Sequence, residues 1–177
     1  MTSTVLRRRQ GAVPNAVLAM AMFLFTEVMF FCALISSYIV LRGQAGGWPP
    51  AGQPRLPLAV AAAATVPLLL SGVAVRRKAY LATLVLGGVF LAVQGLEWVA
   101  LLGHGLTSSS SLYGALFHAV IGSHAVHVTV AWVVVFWGWR SLRLGRSLDE
   151  GTLRAVGMFW MFVVAVWPPL YVLVYLW

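Results

Sequence analysis

The sequence contains few charged residues, and the acidic ones are much scarcer than the basic ones. Only 9% of its 177 residues are charged, and just four are Asp or Glu. With 61% hydrophobic residues and a mean hydropathy of +0.91, the chain carries more apolar surface than a water-soluble domain can hide. The composition therefore excludes a soluble enzyme and indicates a membrane protein.

Cysteine is nearly absent as well. The single Cys32 lies inside an apolar stretch and excludes an internal disulfide, so we expect a packed thiol. The sequence also lacks a nucleotide-binding loop and a nucleophile elbow. These absences leave the polar residues inside the apolar stretches as the candidates for function.

Long hydrophobic runs are what the sequence does have. Each is long enough for a membrane-spanning helix, which needs about 20 mostly apolar residues. We predict five spans, at about 16–41, 57–75, 79–103, 113–139 and 153–177. The first run is too long for a cleaved signal peptide. Because the connections are short, residues 1–177 are predicted to form a single all-α, polytopic membrane domain.

Proline and small residues give further expectations for two of the spans. Pro67 should bend span two, and Pro168 and Pro169 should interrupt span five with a kink. Span two is also rich in small residues, which permit close helix approach. Such a surface suits a partner helix, so we expect the face with Ala61, Ala63 or Ala64 to be covered by a helix of another subunit or by ordered lipids.

The net charge of +8 follows a topological pattern. Two basic residues, Arg42 and Arg55, fall on one side of the predicted spans. Ten fall on the other side: Arg7, Arg8, Arg9, Arg76, Arg77, Lys78, Arg140, Arg143, Arg146 and Arg154. Basic residues accumulate on cytoplasmic loops, so this asymmetry predicts N-terminus in and C-terminus out. It also argues against nucleic acid as a partner.

Two of the four acidic residues lie in predicted spans. Asp149 and Glu150 sit in a polar loop, where Asp149 or Thr152 is expected to cap span five. Glu27 and Glu97 instead lie at membrane depth, where carboxyl groups are costly to bury and face protein or water.

The depth of these carboxyl groups can be estimated from the helical rise of about 1.5 Å per residue. Glu27 and His127 are each about 14 residues from the outer ends of their spans, so they share a level near the midplane. Glu97 matches His118 nearer the outer surface. Gln94 matches His124 in the same way. The six residues Glu27, Gln94, Glu97, His118, His124 and His127 therefore form a predicted intramembrane polar network.

The sequence leaves several roles open for this network. It can hold helices together through hydrogen bonds, transfer protons, or contact lipid head groups or another subunit. A haem or metal site is a further alternative, because His104, His118, His124 and His127 are all candidate ligands. All four histidines lie in span four or at one loop edge, so no second span offers a partner ligand.

Four ordered blocks resemble the subunit III family of haem–copper oxidases. They are TEVMFF at 26–31, LAVQGLEW at 91–98, YGALFHAVIGSHAVHV at 113–128 and FWMFVVAVW at 159–167. Their order matches that of the family from span one to span five. Longer members have seven spans, so this chain resembles the short bacterial form. Met161 and Val164 stand where the family has His and Asp, so that polar pair cannot be carried over.

The resemblance implies a non-catalytic subunit of a proton-pumping respiratory oxidase in the bacterial inner membrane. Such a subunit has no cofactor of its own. Haem and copper belong to the catalytic subunit I, which together with other oxidase subunits and phospholipids would be its partner. The resemblance further implies support of stability and proton uptake. Alternatives are a partner of a nitric oxide reductase, a haem-binding membrane electron carrier and a small transporter.

Overall fold

A computed structural model describes residues 13–50, 52–54 and 56–177. It contains five long α-helices: α1 (Asn15–Gly43), α2 (Leu58–Arg76), α3 (Tyr80–Gly103), α4 (Leu112–Arg143) and α5 (Glu150–Tyr171). A short π-helix, Val172–Leu176, extends α5. All five helices are long and apolar enough to cross a membrane. The predicted fold class, all-α with five membrane-spanning helices, is confirmed.

The last helix occupies the centre of the bundle. α5 packs against α1, α2 and α4, while α3 joins α2 to α4 and α1 contacts α4 and α5. The fully buried indoles of Trp160 and Trp167 form the middle of the core. Only 6% of the most apolar stretch of α1 is buried, against 44% for α5 with its extension. α1 is therefore a peripheral helix with a large free surface.

The connections lie at two ends of the bundle. At one end, a Cβ added to Gly151 would lie 2.6 Å from Pro14, which places the starts of α1 and α5 together. We call this the Arg-rich end. At the other, the Trp177 end, Arg42 donates a hydrogen bond to the main-chain oxygen of Trp177. Trp48 packs there edge to face on Tyr113, with 5.0 Å between ring centroids.

Most described cations lie at one end. Arg42 is at the Trp177 end, and the other seven lie at or near the Arg-rich end: Arg76, Arg77, Lys78, Arg140, Arg143, Arg146 and Arg154. Arg7, Arg8, Arg9 and Arg55 lie outside the described residues. The structure keeps the predicted charge asymmetry for the part of the chain that it describes.

A capping residue explains where α5 begins, and two prolines lie near its end. Asp149 caps the helix by accepting a 3.0 Å hydrogen bond from the main-chain N–H of Thr152, as predicted. The bonds that Thr152 donates from its hydroxyl and its main chain lower the pKa of Asp149. The helix is not interrupted at Pro168 and Pro169, contrary to expectation: α5 runs through both prolines, and its hydrogen bonding changes to π-helical after Tyr171. The kink stays a prediction.

One expectation about packing needs correction, and the structure narrows a second. Cys32 is exposed on the surface of the chain, because it lies on the free face of α1 rather than against the bundle. Of the three small residues singled out in α2, Ala61 and Ala64 are buried inside the chain. Only Ala63 lies on the exposed face where an external partner was expected.

Candidate intramembrane polar site

The first part of the site joins α1 to α4. Glu27 Oε2 lies 2.8 Å from His127 Nε2, and the two side chains are 17% and 18% exposed. Equal depth in antiparallel helices predicted this contact, and the structure forms it. The ring of Phe31 packs edge to face on His127 with 5.1 Å between centroids, which shields the pair from one side.

The hydrogen bonds of His127 define the charge of the pair. Its Nδ1 lies 2.7 Å from the main-chain oxygen of Ser123, which can only accept, so Nδ1 carries a proton. The Nε2···Oε2 contact then contains one shared proton, held either by the carboxyl or by the imidazole. The pair is electrically neutral in both arrangements, and this lowers the cost of placing it at membrane depth.

The second part of the site is a cavity of about 220 Å³ between α3, α4 and α5. Gln94, Glu97 and His124 line it together with the aromatic rings of Trp167 and Tyr175. Gln94 Nε2 donates a long hydrogen bond of 3.4 Å to the Tyr175 hydroxyl. The predicted Gln94–His124 match in depth therefore brings both residues to one cavity without a bond between them.

Glu97 and His124 are the unusual members of this cavity. Glu97 is 6% exposed and His124 only 1%. Within the described residues, neither ring nitrogen of His124 has a hydrogen-bond partner, and the hydroxyl of Tyr175 faces the carboxyl of Glu97. His124 stacks on Trp167 with 5.2 Å between ring centroids. Buried polar groups without partners are costly, so these two mark a place where another group can bind.

The remaining histidines lie apart from this cavity. His118 Nδ1 donates to the main-chain oxygen of Gly114 at 2.8 Å, and its ring packs near Trp98. The expected contact between His118 and Glu97 does not form. His104 ends α3 and bonds the main-chain oxygen of Ala100 at 2.6 Å. The six predicted residues thus form one ion pair, one cavity and one separate histidine, rather than one network.

Sequence reasoning missed two contributors from α5. Tyr175 supplies the hydroxyl that faces Gln94, and Trp167 covers His124. Depth alone would not have found Tyr175, because it is two residues from the predicted outer end of span five, whereas Glu97 is six and Gln94 nine residues from that of span three. Aromatic residues in a span suit packing and interfacial anchoring, so the sequence does not single out Tyr175 or Trp167 for the site.

The arrangement is unlike a metal centre. Among the residues that the structure describes, no group of three or more His, Cys, Asp or Glu side chains is placed to hold a metal ion. What the site offers chemically is a shared proton at Glu27–His127 and a buried carboxyl at Glu97 beside the Tyr175 hydroxyl.

Comparison with known proteins gives the family. A family model described as cytochrome c oxidase subunit III matches residues 3–177. A probable cytochrome c oxidase subunit 3 of Mycobacterium leprae is 32% identical over 92% of this chain and 88% of that protein. The cytochrome c oxidase subunit 3 of Corynebacterium diphtheriae is also 32% identical, with the same coverage of both chains.

A cyanobacterial relative extends the comparison. The cytochrome c oxidase subunit 3 of Thermostichus vulcanus is 29% identical over 90% of this chain and 86% of that protein. The family match covers all four blocks of residues that carried the resemblance, including both carboxyl groups at membrane depth. The chain, with its five long helices and its paired Glu27 and His127, belongs to the cytochrome c oxidase subunit III family.

Proposed function

We propose that this chain is the non-catalytic subunit III of a respiratory haem–copper terminal oxidase in a bacterial cytoplasmic membrane. Family membership supports this proposal, and it is consistent with a chain that has no cofactor of its own. Haem and copper then belong to the catalytic subunit I. The chain contributes stability, lipid binding and support of proton uptake by that partner.

The Glu27–His127 pair is the observation on which the proposal depends most. It links the peripheral helix α1 to α4 at membrane depth and stays neutral while it shares one proton. A neutral pair of this kind can hold α1 in place for contact with a partner. A catalytic group would need access to a substrate, whereas Glu27 Oε2 and His127 Nε2 face each other.

The exposed surface of α1 supports a partner at this helix. Met22, Phe25 and Met29 are each more than 60% exposed. Exposed apolar side chains at membrane depth suit lipid or another membrane helix. We place the Arg-rich end in the cytoplasm, because seven of the eight described cations lie there.

Substitution of Glu27 in the assembled oxidase tests the proposal. Glu27→Gln keeps a hydrogen bond to His127, so we expect initial turnover to remain within about twofold of the wild type. Glu27→Ala leaves His127 unpaired and should reduce retention of the subunit and activity over many turnovers. Glu150→Gln, at an exposed carboxyl with a 3.5 Å contact to Arg154, is the matched control.

Measurements on the purified complex separate the outcomes. Subunit content is read from gels, turnover from oxygen consumption, and the chromophores from the optical spectrum. Loss of the first turnovers in fully assembled Glu27→Gln oxidase would make Glu27 a proton-path residue instead. A complex that reduced nitric oxide rather than oxygen would assign the chain to the alternative partner.

A further inference from the structure

The cavity between α3, α4 and α5 contains more polar atoms than its own side chains can satisfy. The Tyr175 hydroxyl faces the Glu97 carboxyl and accepts the 3.4 Å hydrogen bond from Gln94 Nε2. A hydroxyl has one proton to donate, so it serves at most one of the two Glu97 oxygens. The other Glu97 oxygen, Gln94 Oε1 and both ring nitrogens of His124 have no partner within the described residues.

These unmatched atoms lie deep inside the bundle. His124 is 1% exposed and Glu97 6%, and both belong to helices long and apolar enough to cross a membrane. Bulk water does not reach a side chain in such a place, and a buried polar atom without a partner costs at least as much as a lost hydrogen bond. Four such atoms that line one cavity indicate a common ligand rather than four separate defects.

That ligand must both donate and accept hydrogen bonds. The oxygens of Glu97 and Gln94 need a donor, whereas a neutral imidazole at His124 has one N–H and one bare nitrogen and needs one partner of each kind. A cation with N–H groups can only donate, so it would leave the N–H of His124 unmatched. An anion can only accept, and the Glu97 carboxyl would repel it. Water satisfies all four atoms because each molecule donates and accepts.

The cavity has room for several water molecules. Its volume is about 220 Å³, and one molecule occupies about 30 Å³ in the liquid. A purely apolar cavity stays dry, whereas a buried water molecule needs about two to four polar partners. Polar atoms from three helices provide these partners here, while the rings of Phe90, Phe117 and Trp167 form apolar walls.

We propose that this cavity binds a cluster of ordered water molecules, which bridges Gln94 and Glu97 on α3 to His124 on α4 and Tyr175 on α5. The cluster connects α3 to α4 although no side chain of α4 bonds Glu97 directly. Glu97 thus holds water inside the membrane, in contrast to Glu27, whose carboxyl bonds a histidine. This inference goes beyond the proposed function, because it depends on the fold of the chain and not on the identity of its partner.

Hydroxyl-radical labelling of two buried indoles tests the proposal. Brief X-ray irradiation converts bound water into hydroxyl radicals, which oxidise the aromatic rings that touch it. Trp160 and Trp167 are a matched pair, because both are fully buried and each donates its N–H to a hydroxyl group on α2. Only Trp167 of the two lines the cavity. In the complex purified with this chain and placed in nanodiscs, tandem mass spectrometry should show several-fold faster oxidation of Trp167 than of Trp160.

A double substitution links the water to its polar partners. Gln94→Leu combined with Glu97→Leu removes the polar atoms of α3 at similar volume, so the labelling of Trp167 should fall several-fold, toward that of Trp160. Thr83→Val is the control on the same helix. It removes a hydroxyl group that bonds Ala79 outside the cavity, and it should leave the labelling of Trp167 unchanged.

Three results would overturn the proposal. Equally slow oxidation of the two indoles in the wild type would mean that the cavity is dry or filled by an organic molecule. Density for a lipid tail or another organic molecule among Gln94, His124 and Trp167 in a cryo-EM map of the complex would exclude the water cluster directly. Unchanged labelling of Trp167 in the double Leu variant would mean that Gln94 and Glu97 do not hold the water. If that variant fails to assemble, the wild-type comparison of Trp160 with Trp167 still decides.

Discussion

Three indole N–H groups connect neighbouring helices through single hydrogen bonds. Trp160 donates to Ser71 Oγ at 3.0 Å and Trp167 to Thr65 Oγ1 at 2.7 Å, both on α2. Trp132 on α4 donates to the main-chain oxygen of Leu84 on α3 at 2.9 Å. With no water available in hydrocarbon, each acceptor satisfies a donor that would otherwise be unpaired. Ser71 and Thr65 therefore stabilise the packing of α2 against α5 through these hydrogen bonds.

Removing one of these hydroxyl groups should weaken the bundle. Ser71→Ala leaves the buried N–H of Trp160 without its acceptor, so we expect a loss of about 1 kcal/mol in the free energy of unfolding. Ser36→Ala, at an exposed position on α1, should have almost no effect. Unfolding in mixed detergent micelles, followed by Trp fluorescence, provides the comparison. Equal effects of the two substitutions would show that the Trp160–Ser71 bond contributes nothing measurable.

At the level of helices, a glycine sets the approach of α3 to α5. A Cβ added to Gly87 would lie 2.5 Å from the indole of Trp160, closer than real Cβ atoms come to a neighbour. Trp160 is fully buried and bonded to Ser71, so its ring cannot move aside. The neighbouring Gly88 has its nearest such contact at 3.7 Å, on Trp132, which is an ordinary distance.

These distances predict different results for two adjacent substitutions. Gly87→Ala should force the core apart and cost about 1–3 kcal/mol, because overpacking shifts side chains and backbone. Gly88→Ala should be neutral or slightly stabilising, since alanine favours the helix. Thermal denaturation of the purified subunit in one detergent measures both. A stable Gly87→Ala variant would mean that the indole of Trp160 lies farther from Gly87 than the 2.5 Å contact indicates.

The ends of the helices show which features of the fold the sequence predicts and which it does not. Three predicted spans begin and end within about two residues of α1, α2 and α3, because apolar runs end at charges and glycines. The fourth begins one residue after the start of α4. α4 continues to Arg143, beyond the predicted end at 139, since a helix can extend past the apolar layer. Depth predicted the Glu27–His127 contact. Depth gives no information on the direction in which each side chain points around its helix. The predicted contact between Glu97 and His118 is therefore wrong.

For the molecule as a whole, the distribution of cations predicts its orientation. The Arg-rich end should face the cytoplasm and the Trp177 end the outside. In a Cys32→Ser background, which removes an exposed thiol, single cysteines in loops 43–56 and 104–112 should react with an impermeant maleimide in sealed cells. Cysteines at 141–150 should react only after the membrane is opened. The reverse pattern would invert the assignment.

The central position of α5 has a consequence for biogenesis. The ribosome makes α5 after the other four helices, yet α1, α2 and α4 all pack against it. Until Trp160 and Trp167 enter the membrane, Ser71 and Thr65 of α2 have no indole to bond, and α1 lacks the helix against which it mainly packs. The first four helices must therefore wait in the bilayer without their central neighbour, although α2 and α3 already pack against each other. Quality control in the membrane would meet this unfinished bundle each time the chain is made.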